Sequence, residues 1–289
     1  MNRKEVAIGI VQLSCTKEVN TNVQKTFELT QKAIRAGAKI VCLQELFYTQ
    51  YFCQNIDPLH FEYAIELKHH IIEKFQILAQ NTAATILLPI FEKRSVGIYH
   101  NTVIVISPSG TIQGLYRKMH IPDDPSFYEK YYFSPGDLGF PVFETPYAKI
   151  GVLICYDQWF PEAARLAALQ GAEILFYPTA IGWWEKEPEE IYSSQLSAWK
   201  IMHQSHAIAN NIFVVAVNRV GKEGELAFWG NSLVVSPFGE IIAQTSTTEE
   251  EFLVIMCDLS QIEYYRQQWP FFRDRRIEAY QDLVKRFGK

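Results

Sequence analysis

The segment Lys149-Ile-Gly-Val-Leu-Ile-Cys155-Tyr-Asp-Gln-Trp-Phe-Pro-Glu162 joins a buried strand, a cysteine and the opening of a helix. Ile150 to Ile154 is a short apolar run rich in β-branched residues, as expected of a central strand covered on both faces. Pro161 suits the first turn of a helix, where its missing N–H costs nothing. Ala163 to Leu169 are good helix formers, and Gly171 is placed to end that helix. Cys155 is thus expected at a strand-to-helix turn, where backbone N–H groups and a helix N-terminus favour negative charge and would stabilise a thiolate. A buried structural thiol is the commoner role for such a residue, so the rest of the chain has to decide between the two.

Working outward from this segment, the pattern is that of an α/β protein. Val6 to Leu13 reads as a strand, Asn20 to Ala36 as an amphipathic helix stopped by Gly37, and Lys39 to Gln44 as a second buried strand. That is a βαβ unit, which implies a parallel pair. Phe61 to Asn81 has helical spacing. Thr85 to Ile90 and Asn101 to Ile106 read as strands, and Thr111 to Arg117 returns after the turn Ser107-Pro-Ser-Gly110. His120 to Leu138 is a long irregular loop. Beyond the cysteine helix come a strand at Ile174 to Tyr177, a loop at Trp183 to Glu190, a helix from Tyr192 to Asn210 and a strand from Ile212 to Val217. A hairpin (Leu233 to Ser236, Glu240 to Gln244), a last strand (Phe252 to Cys257) and a helically patterned tail complete the chain.

Two stretches echo each other: Asn101-Thr-Val-Ile-Val-Ile-Ser-Pro-Ser-Gly110 and Asn231-Ser-Leu-Val-Val-Ser-Pro-Phe-Gly239. Each half is then expected to supply one mixed sheet with helices on a single face. Packing the two bare faces together gives a four-layer α-β-β-α sandwich of two mixed sheets. No Gly/Ser-rich linker divides the halves, so residues 1–289 read as one domain, with residues 260–289 a C-terminal tail.

Composition narrows the function. With 289 residues, 48% hydrophobic and 20% charged, the chain has the make-up of a soluble globular protein. A net charge of −5 disfavours nucleic acid and anionic membranes as partners. Cys15, Cys42, Cys53, Cys155 and Cys257 are odd in number, scattered and without a CxxC pair, which fits a reduced cytoplasmic protein. Met1 to Glu5 is polar rather than an apolar targeting segment. No run approaches the ~18 apolar residues of a membrane span.

Glu45, Lys118 and Cys155 each sit just past the end of a predicted strand, the edge where ligands collect in α/β sheets. Singly, Glu45 reads equally well as a helix-start acid and Lys118 as a solvated charge. Together they offer a base, a cationic stabiliser and a nucleophile. A glutamate near the thiol takes its proton, returns it to a leaving amine and later activates water. The ammonium, with the Tyr156 backbone N–H, steadies the oxyanion. His203 and His206 share one helix face, but no third ligand accompanies them, so no metal site is expected.

In these residues the chain resembles the nitrilase superfamily of carbon–nitrogen hydrolases, from Val6 to about Leu259. The resemblance rests on Leu43-Gln-Glu45, on Tyr116-Arg-Lys118-Met-His-Ile-Pro-Asp123 and on Ile154-Cys155-Tyr-Asp-Gln-Trp-Phe-Pro-Glu162. It implies a Glu-Lys-Cys triad of Glu45, Lys118 and Cys155, the four-layer sandwich, no cofactor, and a second, orienting glutamate at Glu129. Within the superfamily, Cys155 to Glu162 and Pro178-Thr-Ala-Ile-Gly182 most resemble the N-carbamoylputrescine amidase branch. That branch implies hydrolysis of a ureido group to putrescine, ammonia and carbon dioxide in polyamine synthesis. The family also implies homo-oligomers, and the aromatic tail Tyr264-Tyr265…Trp269-Pro-Phe-Phe272 suits packing on a neighbouring subunit.

A cationic amine substrate calls for carboxylates and aromatic faces. Asp123, Asp124, Glu185 and Glu187 lie in the two predicted rim loops, with Trp159, Trp183 and Trp184 near them in sequence; Trp159, Asp123, Trp183 and Glu185 are the substrate-binding candidates. A carbamoyl amino acid would instead need a cation for its carboxylate, and Arg219 is the candidate. The alternatives are another nitrilase-type amidase (β-ureidopropionase-like, aliphatic amidase or nitrilase), a non-catalytic interaction protein, and a metal or Cys–His hydrolase.

Overall fold

The computed structural model describes residues 5–288; the polar start at Met1 to Lys4 lies outside them. Among the described residues fifteen strands and five α-helices follow one another, with short 3-10 turns between. The first half runs β1 (Glu5–Gln12), α1 (Val19–Arg35), β2 (Ile40–Leu43), α2 (His70–Thr82), β3 (Thr85–Ser95), β4 (Ile98–Ile106), β5 (Ile112–Arg117). The second runs β6 (Val142–Glu144), β7 (Lys149–Val152), α3 (Pro161–Leu169), β8 (Ile174–Pro178), β9 (Gly182–Trp184), α4 (Tyr192–Asn210), β10 (Phe213–Val217), β11 (Val220–Glu223), β12 (Leu226–Trp229), β13 (Leu233–Val235), β14 (Ile241–Gln244). β15 (Glu251–Asp258) and α5 (Ser260–Gln268) close the chain.

Two six-stranded sheets form, in the orders β15-β1-β2-β3-β4-β5 and β14-β13-β10-β8-β7-β6. The repeat foreseen in the Ser-Pro-x-Gly turns extends through both. β1, β2 and β3 are parallel and continue antiparallel into β4 and β5; β7, β8 and β10 are parallel and continue antiparallel into β13 and β14. An antiparallel strand then edges each set, β15 beside β1 and β6 beside β7.

Side-chain alternation separates the layers. In the first sheet Ile8, Ile10, Ile40, Cys42, Leu87, Val103 and Val105 point into the core shared with the second sheet. Their neighbours Val11, Val41, Leu43, Ile86, Leu88, Ile104 and Ile106 point the other way, against α1 and α2. α3 and α4 cover the outer face of the second sheet. Both sheets are buried on two sides, which is why their strands read as continuous apolar runs rather than as an alternation with polar residues. The four-layer α-β-β-α sandwich is therefore the fold.

The structure departs from the sequence reading in four places. The helical pattern from Phe61 to Asn81 breaks in two: Pro58–Tyr63 is a 3-10 turn, and the α-helix begins only at His70, with His69 Nδ1 accepting from the Ile71 N–H. Between them Ile65 bonds both ways with the backbone of β3 (2.9 and 2.8 Å), which holds that stretch extended. The expected loop at Trp183 to Glu190 starts as a strand. β9 joins the hairpin β11–β12 in a third sheet of order β11-β12-β9 that the sequence reading missed. β6 was also missed. Finally, the last strand joins the sheet of the first half, so the halves do not keep all their own strands.

Candidate active site

Three chain segments converge at the ends of β2, β5 and β7. β2 ends at Leu43, and Glu45 follows on a turn in which Leu46 takes a left-handed φ of +49°. β5 ends at Arg117, so Lys118 is the first residue beyond it, its N–H bonded to the Asn101 carbonyl at 2.9 Å. β7 stops at Val152, and Cys155 opens a 3-10 turn over Cys155–Trp159 with φ +41°. A non-glycine residue there stores on the order of 1–3 kcal/mol of strain, which the surroundings must hold.

What holds the cysteine turn is Asp157. Its carboxylate accepts from the Ile154 N–H (2.8 Å), from the Tyr116 hydroxyl (2.7 Å) and from the His120 N–H (3.0 Å), and it pairs with His120 Nδ1 at 2.7 Å. One buried carboxylate thus ties the cysteine turn to the segment carrying Lys118. Gln158, next in the chain, is held from α4: its side-chain oxygen accepts from Trp199 Nε1 (2.8 Å) and lies 3.2 Å from His203 Nε2, while its carbonyl is 2.7 Å from His206 Nε2. The two histidines of that helix face therefore brace the cysteine turn.

Glu45, Lys118 and Glu129 are wholly buried and in contact. Lys118 Nζ donates to Glu45 Oε1 at 2.9 Å and to both oxygens of Glu129 at 2.9 and 2.7 Å. Asn101 Nδ2 donates to the same Glu45 oxygen at 2.7 Å, and the Tyr51 hydroxyl donates to Glu129 at 2.6 Å. Glu45 Oε2 has no partner, a costly state for a buried carboxylate oxygen and one that leaves it able to accept a proton. The Cys155 thiol donates towards the Ala180 carbonyl at 3.8 Å.

Burial at Cys155 works against the thiolate that a strand-to-helix turn favours. Burial, and after it the Glu45 charge, push the Cys155 thiol well above its ordinary value; Lys118 opposes them and does not prevail. Burial by itself would lower the Lys118 pKa, but Glu129 and Glu45 more than reverse this and keep the ammonium. Burial raises the Glu129 carboxyl against the pull of Lys118. With two carboxyl groups sharing one ammonium, ionising the thiol in place adds an uncompensated charge. Passing its proton to a neighbouring carboxylate leaves the total unchanged, so the arrangement suits a thiol deprotonated only as it attacks.

Cys155 and Glu129 lie at the base of a cavity of about 410 Å³. Its walls include Tyr156, Trp159, Trp184, Trp229 and Phe127, with Asp124 and Glu187 also on the lining. Trp159 stands where the sequence placed it, but Asp123, Trp183 and Glu185 do not reach the cavity. Asp123 is exposed beside Asp124. The Trp183 ring stacks on Tyr192 and donates to its carbonyl, because alternation along β9 gives the pocket face to Trp184. Glu185 pairs with Lys222. Arg219 is fully buried against Glu223 and backbone carbonyls, out of reach of a ligand carboxylate.

Tyr51, Asn101, Asp157 and Trp229 went unread as site residues. Asn101 had a signal, since it opens the repeated Asn…Ser-Pro-x-Gly stretch; the others are set by long-range packing. Among the described residues no group of three or more His, Cys, Asp or Glu is placed to hold a metal ion, and no helix is long and apolar enough to cross a membrane.

The carbon–nitrogen hydrolase family model matches residues 7–267. An N-carbamoylputrescine amidase of Arabidopsis thaliana is 43% identical, covering 99% of this chain and 97% of its own. A citrullinase of Francisella tularensis is 38% identical, covering 98% and 99%. The crystal structure of a carbon–nitrogen hydrolase from Helicobacter pylori G27 superposes with a TM-score of 0.95 at 42% identity, covering 98% of this chain and 100% of that one.

The buried thiols make stability pH-dependent. Burial raises all five cysteines in the folded chain above the ordinary 9.0, Cys15 to about 11 and Cys257 to about 12. The folded state then keeps protons that the unfolded chain releases. This stabilisation is complete below pH 9.0 and is lost as pH rises towards those upper values. The urea midpoint is expected to fall between about pH 7 and about pH 10; an unchanged midpoint would contradict it.

Proposed function

The chain belongs to the carbon–nitrogen hydrolase family, and from that premise we propose that it hydrolyses the ureido group of N-carbamoylputrescine to putrescine, ammonia and carbon dioxide. Cys155 is the nucleophile. Its thiol proton passes to Glu45 as sulfur attacks the ureido carbon. The resulting oxyanion meets the Lys118 ammonium and the Tyr156 N–H. Collapse of this adduct breaks one C–N bond, with Glu45 returning the proton to the departing nitrogen, and leaves a carbamoyl thioester. Glu45 then deprotonates water, which attacks the thioester; the proton returns to the Cys155 sulfur as the C–S bond breaks, and the carbamate released splits into carbon dioxide and the second amine. Glu129, held by Lys118 and Tyr51, orients the ammonium.

The observation that carries the substrate is the charge of the cavity wall. Apart from Cys155, Tyr156 and Glu129, whose carboxylate is engaged by Lys118, its ionisable lining groups are two carboxylates, Asp124 and Glu187, with no cationic side chain on the lining among the described residues. Indole faces from Trp159, Trp184 and Trp229 accompany them. An alkylammonium is attracted by both features. Citrulline or N-carbamoyl-β-alanine would bring a carboxylate to the same wall with nothing on the lining to pair it, and Arg219 is already engaged by Glu223.

The pathway and compartment follow the same reading: putrescine formation for polyamines, in the cytoplasm, where five unpaired cysteines stay reduced. We also propose a homo-oligomer in which the tail from residue 260 packs on a neighbouring subunit. Support comes from its exposed aromatic and aliphatic side chains, among them Tyr264, Trp269 and Phe287, the last 81% exposed. Light scattering at micromolar concentration is expected to give a dimer or larger; a clean monomer would refute the assembly.

Two experiments test the chemistry and the substrate. Cys155→Ala is expected to lose ammonia release by at least about 10⁴-fold. Intact-mass spectrometry of Glu45→Gln with substrate is the complementary measurement, expected to show slowed formation or turnover of a carbamoyl adduct. Full activity in Cys155→Ala would end the proposal. In a panel assayed for ammonia, N-carbamoylputrescine is expected to exceed citrulline, N-carbamoyl-β-alanine and simple amides in kcat/KM. Asp124→Asn and Glu187→Gln should each raise its KM about 2- to 5-fold with kcat little changed; a citrulline preference would reverse the assignment.

A further inference from the structure

We propose that Arg219 and Glu223 are a positioning pair that aims the Glu45 carboxylate; this rests on the reading of Glu45 as the general base. Arg219 is completely buried. Its guanidinium donates to the Glu45 carbonyl at 2.6 Å, the Leu46 carbonyl at 3.1 Å and the Thr49 carbonyl at 3.3 Å. Its other hydrogen bonds go to Glu223, at 3.0 and 3.2 Å, and the guanidinium lies over the Phe228 ring while its Nε has no partner. Three carbonyls of one short turn therefore converge on one planar cation contributed by the other half of the chain.

That turn is strained where it matters. Leu46, the residue after Glu45, has φ +49°, a left-handed conformation that a γ-branched side chain rarely adopts. Bonds to the carbonyls on both sides of it fix the peptide planes and hence the direction in which the Glu45 side chain leaves the backbone. At the far end of that side chain only Oε1 is tethered, by Lys118 and Asn101, while Oε2 has no partner. The aim of Oε2 is thus decided largely at the backbone.

Glu223 extends the control to the second carboxylate. Its Oε2 accepts the Tyr51 N–H at 2.5 Å, and the Tyr51 hydroxyl donates to Glu129 at 2.6 Å. Both glutamates that flank Lys118 are consequently held from a single ion pair, and neither member of that pair lines the cavity. An apolar pair of equal volume could fill this space, but it would leave these buried backbone groups without partners. It could not order three carbonyls and an N–H at once. Lysine at 219 would keep the charge but offers a point donor instead of a planar fork, so it cannot serve all of these acceptors in their present places.

The experiment compares full-length wild type with Arg219→Lys, Glu223→Gln and Glu45→Gln in three measurements: thermal melting, steady-state ammonia release, and the rate of Cys155 alkylation by iodoacetamide followed by intact mass. For Arg219→Lys and Glu223→Gln the expected result is a kcat lowered about 10- to 100-fold, the scale of a misplacement near 1 Å, with KM within about twofold. Alkylation should slow in parallel in both, towards the rate of Glu45→Gln, at a temperature where melting shows each variant folded. Wild-type kcat and alkylation rate in a folded Arg219→Lys or Glu223→Gln would overturn the proposal. So would losses matched by the unfolded fraction alone, the signature of a merely structural pair. Should Arg219→Lys fail to fold, Glu223→Gln, which keeps shape and hydrogen-bonding reach, decides by the same criteria. Failure of the triad reading looks different, since wild type and Glu45→Gln would then release ammonia and alkylate equally.

Discussion

A buried ammonium between two buried carboxyl groups is the constraint around which the molecule is arranged. Lys118, Glu45 and Glu129 are all removed from water, and a charge so placed is tolerable only when paired and hydrogen-bonded. Three side chains help meet that demand: Asn101 on one glutamate, Tyr51 on the other, Asp157 on the segment that carries the lysine. The same surroundings keep the thiol protonated until a base takes its proton. In the proposed mechanism low dielectric does two things at once, suppressing a reactive thiolate at rest and strengthening the ammonium's pull on a developing oxyanion.

The two sheets provide the rigidity this requires. Glu45 and Lys118 leave strands of the first sheet and Cys155 leaves a strand of the second, so the site exists only where the sheets are packed. Ile8, Ile10, Leu87 and Val103 from one side and Val152, Phe176 and Val215 from the other fill the shared core, which fixes the relative position of the three segments. Ties across this seam are polar as well: Asp157 reaches to Tyr116 and His120, and Arg219 reaches to the Glu45 turn.

Much of this is legible in the sequence, and the parts that are not have physical reasons. Strand-end residues such as Glu45, Lys118 and Cys155 announce themselves because a short apolar run stops at a polar side chain. The four layers follow from two copies of one strand pattern. Trp184 and Trp183 are adjacent, and only the pairing of β9 with β12 decides which of them faces the cavity. Gly182 shows how tight that pairing is, since a Cβ there would lie 2.3 Å from the Ala227 carbonyl oxygen. Arg219 illustrates a second blindness: a cation near a predicted strand end looks available to a ligand, and its buried partner Glu223 is four residues away with nothing local to mark the pair. The protonation of Cys155 is hidden for a third reason: a turn's local dipoles are visible in sequence while the burial that opposes them is not.

The return of β15 to the first sheet has a consequence for how the chain is made. β15 pairs with β1 along its whole length, from Glu5 opposite Asp258 to Gln12 opposite Glu251. β1 therefore waits for a strand that is made only after all the others. During synthesis, until Glu251–Asp258 leaves the ribosome, the outer edge of β1 presents unpaired backbone groups beside strongly apolar side chains, the exposure that invites edge-to-edge association. Pairing over such a separation also makes completion of that sheet slow, and late relative to the local hairpins. Nascent chains that stall before this strand would carry β1, β2 and β3 with one flank open, and would depend on chaperones or on rapid release to avoid aggregating.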